Sequence, residues 1–386
     1  RYASRGLGDV YKRQGLYIHY LREMKKHFNQ LRESLSKIFT WHKSRIDCLS
    51  NLLIGLISSQ TVNLSKISRC FKNNNQISSN YRRSQVFFKD VEFDFDAIAE
   101  FGINHLLSRK DKLYLVIDRT NWQLGKTNIN ILMLSAVYEG IAIPLYYDLL
   151  DHRGNSDSQF RINLVKRFIS KFGKERIACI LGDREFIGEN WLGWLDSQNI
   201  DHIVRIRNNL TTTNSRNFSA KVSTLFDDLA VHQYKSIDGK RKICNQSVYL
   251  SGTRAQNGEL LIVASNSSSI DNLIPVYAMR WEIENLFQAF KGRGFNLEDT
   301  HLTDKNKIAK LIGLLCIAFV WIHKVGEYKD AKIKPIPRKK HGRLQNTYFR
   351  YGLDMLINSI QKLDFSTRDF SLCLKILNKT TKLLSL

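Results

Sequence analysis

The chain has 386 residues, 43% hydrophobic and 25% charged, enough for a sizeable core and about two or three structural regions, which excludes a peptide or a small stapled scaffold. Lysine and arginine number 59 against 36 acids, a formal charge of +23, so a polyanionic partner is favoured, nucleic acid ahead of an acidic membrane surface. The six cysteines include no C-x-x-C pair, which argues against a structural zinc site or a disulfide framework and fits a reduced, cytoplasmic protein.

Residues 1–14, RYASRGLGDVYKRQ, hold neither an apolar core nor a cleavage site of the secretory type. The first methionine is Met24, followed by the basic KKHFNQLRESL. Residues 1–23 are therefore expected to be a non-native or untranslated leader that packs poorly, with translation starting at Met24. Residues 24–110 read as short helices, LRESLSKIF, CLSNLLIGLISSQ, LSKISRCFK and DAIAEFGINHLLS, separated by polar breaks such as FKNNNQISSNYRRSQ. With Arg82 and Arg83 expected at a turn, this basic region suits a helix-turn-helix DNA reader; a helical bundle with solvated lysines fits the same pattern.

Residues 111–209 change character. LYLVID is a continuous apolar run expected to be a buried strand ending at Asp118, followed by NILMLSAVY and IAIPLYYDLL around a Glu139-Gly140 turn. A helix, SQFRINLVKRFISKFG, capped by Asp157 or Ser158, comes after the HRGNSD break. RIACILGD is expected to be a second buried strand ending at Asp183, then NWLGWLDSQ a helix and DHIVRIR a strand. This order is that of an RNase H-like α/β catalytic core. Residues 210–275 are polar and strand-like, with turn signals at Asp238-Gly239 and Asn257-Gly258 and runs such as SVYLSG and ELLIVASN, and read as a β-rich insertion into that core. Residues 276–325 resume the core with one helix and a following one. The apolar run Leu311 to Ile322, about 12 residues, is too short to span a bilayer and reads as a buried helix. Residues 326–386 comprise the basic linker KIKPIPRKKHGR and a C-terminal helical region including FRYGLDMLINSIQKL.

The segment YAMRWEIENLFQAFK, 277–291, carries the chemistry. On a regular helix Tyr277, Arg280, Glu284 and Lys291 fall within an arc of about 60°, opposite Met279, Ile283, Leu286 and Phe290. Taken alone the polar stripe reads as a solvated face. Set beside Asp118 and Asp183, each expected at the end of a buried strand where ligand sites of α/β sheets lie, Glu284 completes a carboxylate triad. Three such carboxylates repel unless a divalent cation neutralises them, and magnesium, which keeps positions open for water and phosphate, is the natural ion. Two ions about 3.5 to 4 Å apart would activate an attacking oxygen and stabilise a leaving one at a phosphodiester. Arg280 and Lys291 would then face phosphates and Tyr277 would offer a hydroxyl, while Trp281, to the side of the stripe, stacks on a sugar or base or packs in the core.

The spacing Y-x2-R-x3-E-x6-K, with VIDRTNWQLGK around Asp118 and LGDREFIG around Asp183, resembles bacterial insertion-sequence DDE transposases of the insertion sequence 4 group, over residues about 40 to 355. The resemblance implies that Asp118, Asp183 and Glu284 are catalytic metal ligands for Mg2+ or Mn2+, two ions in all, and that the enzyme cuts transposon ends and joins them to target DNA. It further implies a homodimer on paired ends, with the C-terminal helices as candidate dimer surface, acting on nucleoid DNA in the bacterial cytoplasm with no role for a membrane. In relatives that pass through a DNA hairpin, the tyrosine, arginine and lysine hold phosphates around a flipped base, which places Tyr277, Arg280 and Lys291 on the terminal phosphates, with Trp281 beside them. Some relatives stack that base on a tryptophan of the insertion; here no tryptophan lies between Trp194 and Trp281, leaving Tyr249 or Tyr234 to substitute. Two other readings stay open: a metal-dependent nuclease that cuts without joining, and an inactive DNA-binding remnant. A basic membrane-surface or RNA-binding protein has only charge in its favour.

Overall fold

The computed structural model describes residues 25–379 apart from 108–110, 125–126, 151–153, 155, 269, 271, 341, 343 and 365. The expected leader and Met24 lie outside the described residues, as do His152, Arg153 and Asn155 of the HRGNSD break. The chain forms two compact units, one of residues 1–108 with 288–386 and one of residues 109–287.

The first unit is helical. It starts with α1 (25–36), α2 (Lys43–Ser59), α3 (Leu64–Arg69), α4 (Ile77–Asp90) and α5 (Phe95–Leu106). Asn63 caps α3 and Asp94 caps α5 through their side-chain oxygens, which satisfies amides that the helices leave open. Helix α4 corrects the expected polar break: Arg82 and Arg83 sit inside a helix rather than at a turn. Its buried stripe is Asn80, Ser84, Phe87 and Phe88, half of it polar, so a search for apolar periodicity does not see it. Asn80 exchanges hydrogen bonds with Asn73 at 3.0 and 3.1 Å, and Ser84 meets Ser68 at 3.3 Å, so the polar half of the stripe is paired.

The second unit is built on one ten-stranded sheet. Strands β1 (Leu113–Leu124), β2 (Thr127–Tyr138) and β3 (Ile141–Leu149) form an antiparallel meander. Glu139 and Gly140 join β2 to β3 with φ of 42° and 88°, the left-handed pair that a two-residue hairpin turn requires. Helix α6 (Ser158–Phe172) takes Asp157 as its cap, with a 3.0 Å bond from the Gln159 amide. It leads to β4 (Ile177–Gly182), α7 (Glu189–Ser197) and β5 (His202–Ile206), and both β4 and β5 pair in parallel. The remaining strands are β6 (Thr211–Thr213), β7 (Ser219–Lys221), β8 (Tyr234–Ile243), β9 (Gln246–Arg254) and β10 (Leu260–Ser265). The order across the sheet is β3-β2-β1-β4-β5-β10-β9-β8-β6-β7, so β10 docks antiparallel on β5 and the polar strands extend the same sheet.

One turn assignment changes. The β8–β9 hairpin turns at Cys244 and Asn245, with φ of 47° and 60°, whereas Asp238-Gly239 lies within β8 at a register shift between Ile237 and Arg241. An aspartate-glycine pair supports a bulge as readily as a turn, because Gly239 at φ +74° accepts the left-handed conformation that either needs.

After β10 come α8 (Leu273–Ala278), a 3-10 turn at Met279–Trp281, and α9 (Glu282–Phe290). The helical unit closes with α10 (Lys305–Lys332), α11 (Tyr348–Gln361) and α12 (Arg368–Asn378). Helix α10 is buried from Ile308 to Gly326 save Ala309 and forms the core of this unit, packed by α11, α5 and α12. At 28 residues it is much longer than the apolar run and meets the length and composition of a membrane span, but 94% of its apolar window is buried inside the protein.

Candidate active site

Asp118 is not at the end of its strand. Strand β1 continues to Leu124, and Asp118 pairs with Met133 of β2. What ends there is the parallel pairing with β4, whose last partners are Ile117 and Gly182. The apolar run LYLVID thus marks where β1 loses its second neighbour, not where it stops. Asp183 follows Gly182 directly, opening a 3-10 turn at Arg184–Phe186, so it leaves β4 at the level at which Asp118 sits in β1.

Asp118 is largely buried. Its Oδ1 accepts from the Arg119 amide at 2.7 Å and its Oδ2 from Arg280 Nη1 at 2.9 Å. Burial pushes its pKa up to about 6; Arg280 and the Arg119 amide oppose the rise, while Glu185 and Asp183 add to it. Tyr277, on α8, is 1% exposed and donates its hydroxyl to Asp183 Oδ1 at 3.4 Å. Burial also raises the Tyr277 phenol, which keeps it a proton donor.

Arg280 sits at the centre. It is 5% exposed, donates from Nη1 to Asp118 and from Nη2 to Glu284 Oε1 at 3.0 Å, and its Nε has no partner among the described residues. The rings of Tyr277 and Trp281 lie 5.9 and 6.0 Å from the guanidinium. Its pKa rises: burial works against the charge, and Tyr277, Asp118, Asp183 and Glu284 together outweigh it. Glu284 is half exposed by comparison, at 50% for its side chain.

The regular helix expected for 277–291 is interrupted. A 3-10 turn at Met279–Trp281 lies between α8 and α9, yet Arg280 still meets Glu284 one turn on and Tyr277 one turn back, whereas α9 ends at Phe290 and leaves Lys291 beyond the stripe. Ile283, Leu286 and Phe290 are buried as the apolar arc requires. Trp281 is 46% exposed, which removes it from the core. Lys291 belongs to the helical unit, where it pairs with Glu298 at 2.9 Å. Asn285 donates to the Gly140 carbonyl at 2.9 Å, and the backbones of Tyr138 and Gly140 hydrogen-bond Glu282, so both side chains dock the start of α9 on the β2–β3 turn. Burial raises the Glu282 carboxyl to about 7, with those backbone bonds opposing.

Two features escape a reading of motifs alone. Arg119 Nε and Nη2 donate to Glu185 Oε1 and Oε2 at 3.2 and 2.9 Å, a bidentate pair that ties the residue after Asp118 to the turn after Asp183. Arg161 braces that turn, donating to the Glu185 carbonyl at 3.2 Å and lying 4.9 Å over the Phe186 ring. The only signal was the repeat of Asp-Arg in VIDR and GDRE, which becomes informative once β1 and β4 are known neighbours. The second is Phe218, 70% exposed beside the short β6–β7 strands; of the aromatic residues expected to substitute for a tryptophan, Tyr234 is 58% exposed and Tyr249 lies under Lys240 at 5.3 Å.

Among the described residues, no group of three His, Cys, Asp or Glu side chains is spaced to hold a metal ion. Asp118, Asp183 and Glu284 instead surround the Arg280 cation, which relieves their repulsion. The donor chemistry suits a hard divalent cation: Asp118 follows Ile117 and Asp183 follows Gly182, the last partners of the parallel β1–β4 pairing, so both offer carboxylate oxygens where it ends.

No curated protein matches the chain in sequence. Among solved structures it is similar to a piggyBac transposase in a synaptic complex with hairpin DNA, at 10% identity over 92% of this chain and 83% of that one, with a TM-score of 0.40, a weak likeness. The family model described as the transposase DDE domain matches residues 109–321, more than half of the chain. DDE transposases generally use divalent metal ions. The chain therefore belongs to the transposase DDE domain family and is a DNA-cleaving and strand-transferring enzyme.

Proposed function

We propose that the protein is a cut-and-paste transposase of the insertion sequence 4 type, with an RNase H-like core of β1 to β5 and a β-rich insertion running from β6 to β10. The observation that carries this reading is that Asp118 in β1 and Asp183 directly after β4 follow the last partners of the parallel β1–β4 pairing, with Glu284 joined to Asp118 through Arg280. Asp118, Asp183 and Glu284 would hold two Mg2+ or Mn2+ ions, which when bound supply charge neutralisation and an activated oxygen for phosphodiester cleavage and joining. Asp118, fixed in β1 by the Arg119 amide, sets the position of the reacting phosphate relative to the sheet. Tyr277 orients Asp183, and the Arg119–Glu185 pair holds the two aspartate segments in register.

Tyr277, Arg280, Trp281 and Lys291 form the proposed contact with the terminal transposon DNA, and the charge of +23 favours that partner. Trp281 supports this because it is exposed beside the site. Tyr277 and Arg280 are buried and engaged with carboxylates, so their phosphate contacts require release from them. A hairpin intermediate and a homodimer on paired ends belong to the same proposal, as does action on DNA in the bacterial cytoplasm.

The test uses the purified chain, duplexes carrying the inverted repeats that flank its gene, and Mn2+ or Mg2+. Wild type should nick the ends and join them to a target plasmid. Glu284→Gln should lose cleavage by at least about 100-fold while gel-shift affinity for the ends changes little. Equal loss of binding and cleavage would remove Glu284 from the chemistry, and cleavage without joined products would reduce the enzyme to a nuclease.

A further inference from the structure

Both oxygens of Asp118 are occupied: Oδ1 by the Arg119 amide at 2.7 Å, Oδ2 by Arg280 Nη1 at 2.9 Å. The same guanidinium reaches Glu284 Oε1 at 3.0 Å. It is nearly enclosed, at 6% side-chain exposure, and with it in place no three carboxylates among the described residues are spaced for a metal. A divalent ion between Asp118 and Glu284 would need the oxygens that the guanidinium holds and would lie within a few ångströms of a second cation. Beside Asp118, where the guanidinium is enclosed, the two positive charges are poorly screened, so both cannot be held at full strength.

The arrangement also shows which side gives way. Asp118 is fixed in the middle of β1, between pairing partners. Arg280 lies in a 3-10 turn between two helices and Glu284 in the first turn of α9, with half of its side chain in solvent. The buried Nε of Arg280 has no hydrogen-bond partner among the described residues, which leaves one of its donors unused where it sits.

We propose that Arg280 is a resident counter-cation that competes with the metal for Asp118 and Glu284, so that metal entry and release of the guanidinium are one coupled equilibrium. This rests on Asp118, Asp183 and Glu284 being the metal ligands. In the metal-free protein Arg280 closes the site and cancels the repulsion among its carboxylates. Once released, the same side chain is free to take a phosphate, which links loading of the site to engagement of DNA.

The experiment measures Mn2+ binding by calorimetry on the full chain without DNA, for wild type, Arg280→Gln, Arg280→Lys and Asp118→Asn, with melting curves in EDTA and in Mn2+. Arg280→Gln should bind Mn2+ about tenfold more tightly than wild type or better, with Arg280→Lys in between, because an ammonium keeps the charge but does not bridge both carboxylates. Arg280→Gln should also melt lower than wild type in EDTA, the gap narrowing in Mn2+. Wild-type or weaker Mn2+ affinity in a cooperatively melting Arg280→Gln overturns the competition. If that variant fails to fold in EDTA, Arg280→Lys decides, and unchanged affinity there overturns it equally. If Asp118→Asn abolishes binding but neither Arg280 variant tightens it, the metal site stands and the competition alone falls; if neither wild type nor Arg280→Gln binds Mn2+, the metal reading falls with it.

Discussion

Arg119 and Glu185 form a two-toothed clamp between the segments that carry Asp118 and Asp183, with bonds of 3.2 and 2.9 Å and side chains only 15% and 19% exposed. Its effect is on spacing: Arg119 is the neighbour of one aspartate, Glu185 lies two residues beyond the other, and Arg119 Nη1 also donates to Asn130 of β2 at 3.1 Å.

Removing one partner leaves a largely buried charge unpaired. Arg119→Ala or Glu185→Ala should each cost about 1–3 kcal/mol of unfolding free energy in urea titrations. The double variant should cost less than the two singles added, because the second substitution removes the orphaned charge. Strict additivity would mean that the pair does not couple in solution.

Gly326 and Gly352 mark where α10 crosses α11. A Cβ on Gly326 would run into the Tyr348 carbonyl and the Gly352 amide, and one on Gly352 into the Ile322 carbonyl. Alanine gains about 1 kcal/mol of helix propensity over glycine, but the obstacle is backbone and does not swing aside, so overpacking of about 1–3 kcal/mol or more should win. Gly326→Ala should therefore lower the urea midpoint; a midpoint at or above wild type would mean that the two helices stand further apart.

The pattern of what sequence reveals follows from how each feature is encoded. Buried strands such as those in LYLVID and RIACILGD announce themselves because the run before each aspartate is almost wholly apolar and buried, and this singles out Asp118 and Asp183. The continuation of β1 past Asp118 was hidden because RTNWQL loses burial there, with a pattern that turns half-exposed. Helix α4 was hidden because its buried stripe includes Asn80 and Ser84. The partner of Arg280 could not be read at all: a wheel drawn at 100° per residue shows its neighbours on the same helix, such as Glu284, but not Asp118, 162 residues away in the chain.

Acid should weaken the fold through His202. Its ring is fully buried at the start of β5, and burial lowers its pKa to about 4, with Asp201 and the Ile200 backbone opposing. The unfolded chain takes up the proton near the ordinary value of about 6.5, the folded chain only near 4, so between those values the unfolded state binds more protons. Stability is therefore fully present above about pH 6.5 and falls as the pH drops towards 4, by roughly 3 kcal/mol from this residue. His202→Leu should flatten that limb in urea titrations repeated from pH 7 to 4.5; an unchanged limb would assign the acid sensitivity elsewhere, with His105, likewise lowered to about 4, as the next to test.

Trp281 separates the two roles its sequence position allowed. The ring is 46% exposed and stands edge-on to Tyr277 with centroids 6.3 Å apart, so little of it supports the fold. Trp281→Ala should change unfolding free energy by less than about 1 kcal/mol. If the ring stacks on a terminal base or sugar, the same variant should weaken end binding by about 1–3 kcal/mol at fixed salt, with Trp281→Phe recovering much of the loss. Because no charge is removed, the slope of affinity against salt should stay at its wild-type value, whereas Lys291→Ala should lower it by about one counterion. Binding that survives Trp281→Ala at wild-type strength would place the ring outside the DNA path and leave its exposure without a role in end recognition.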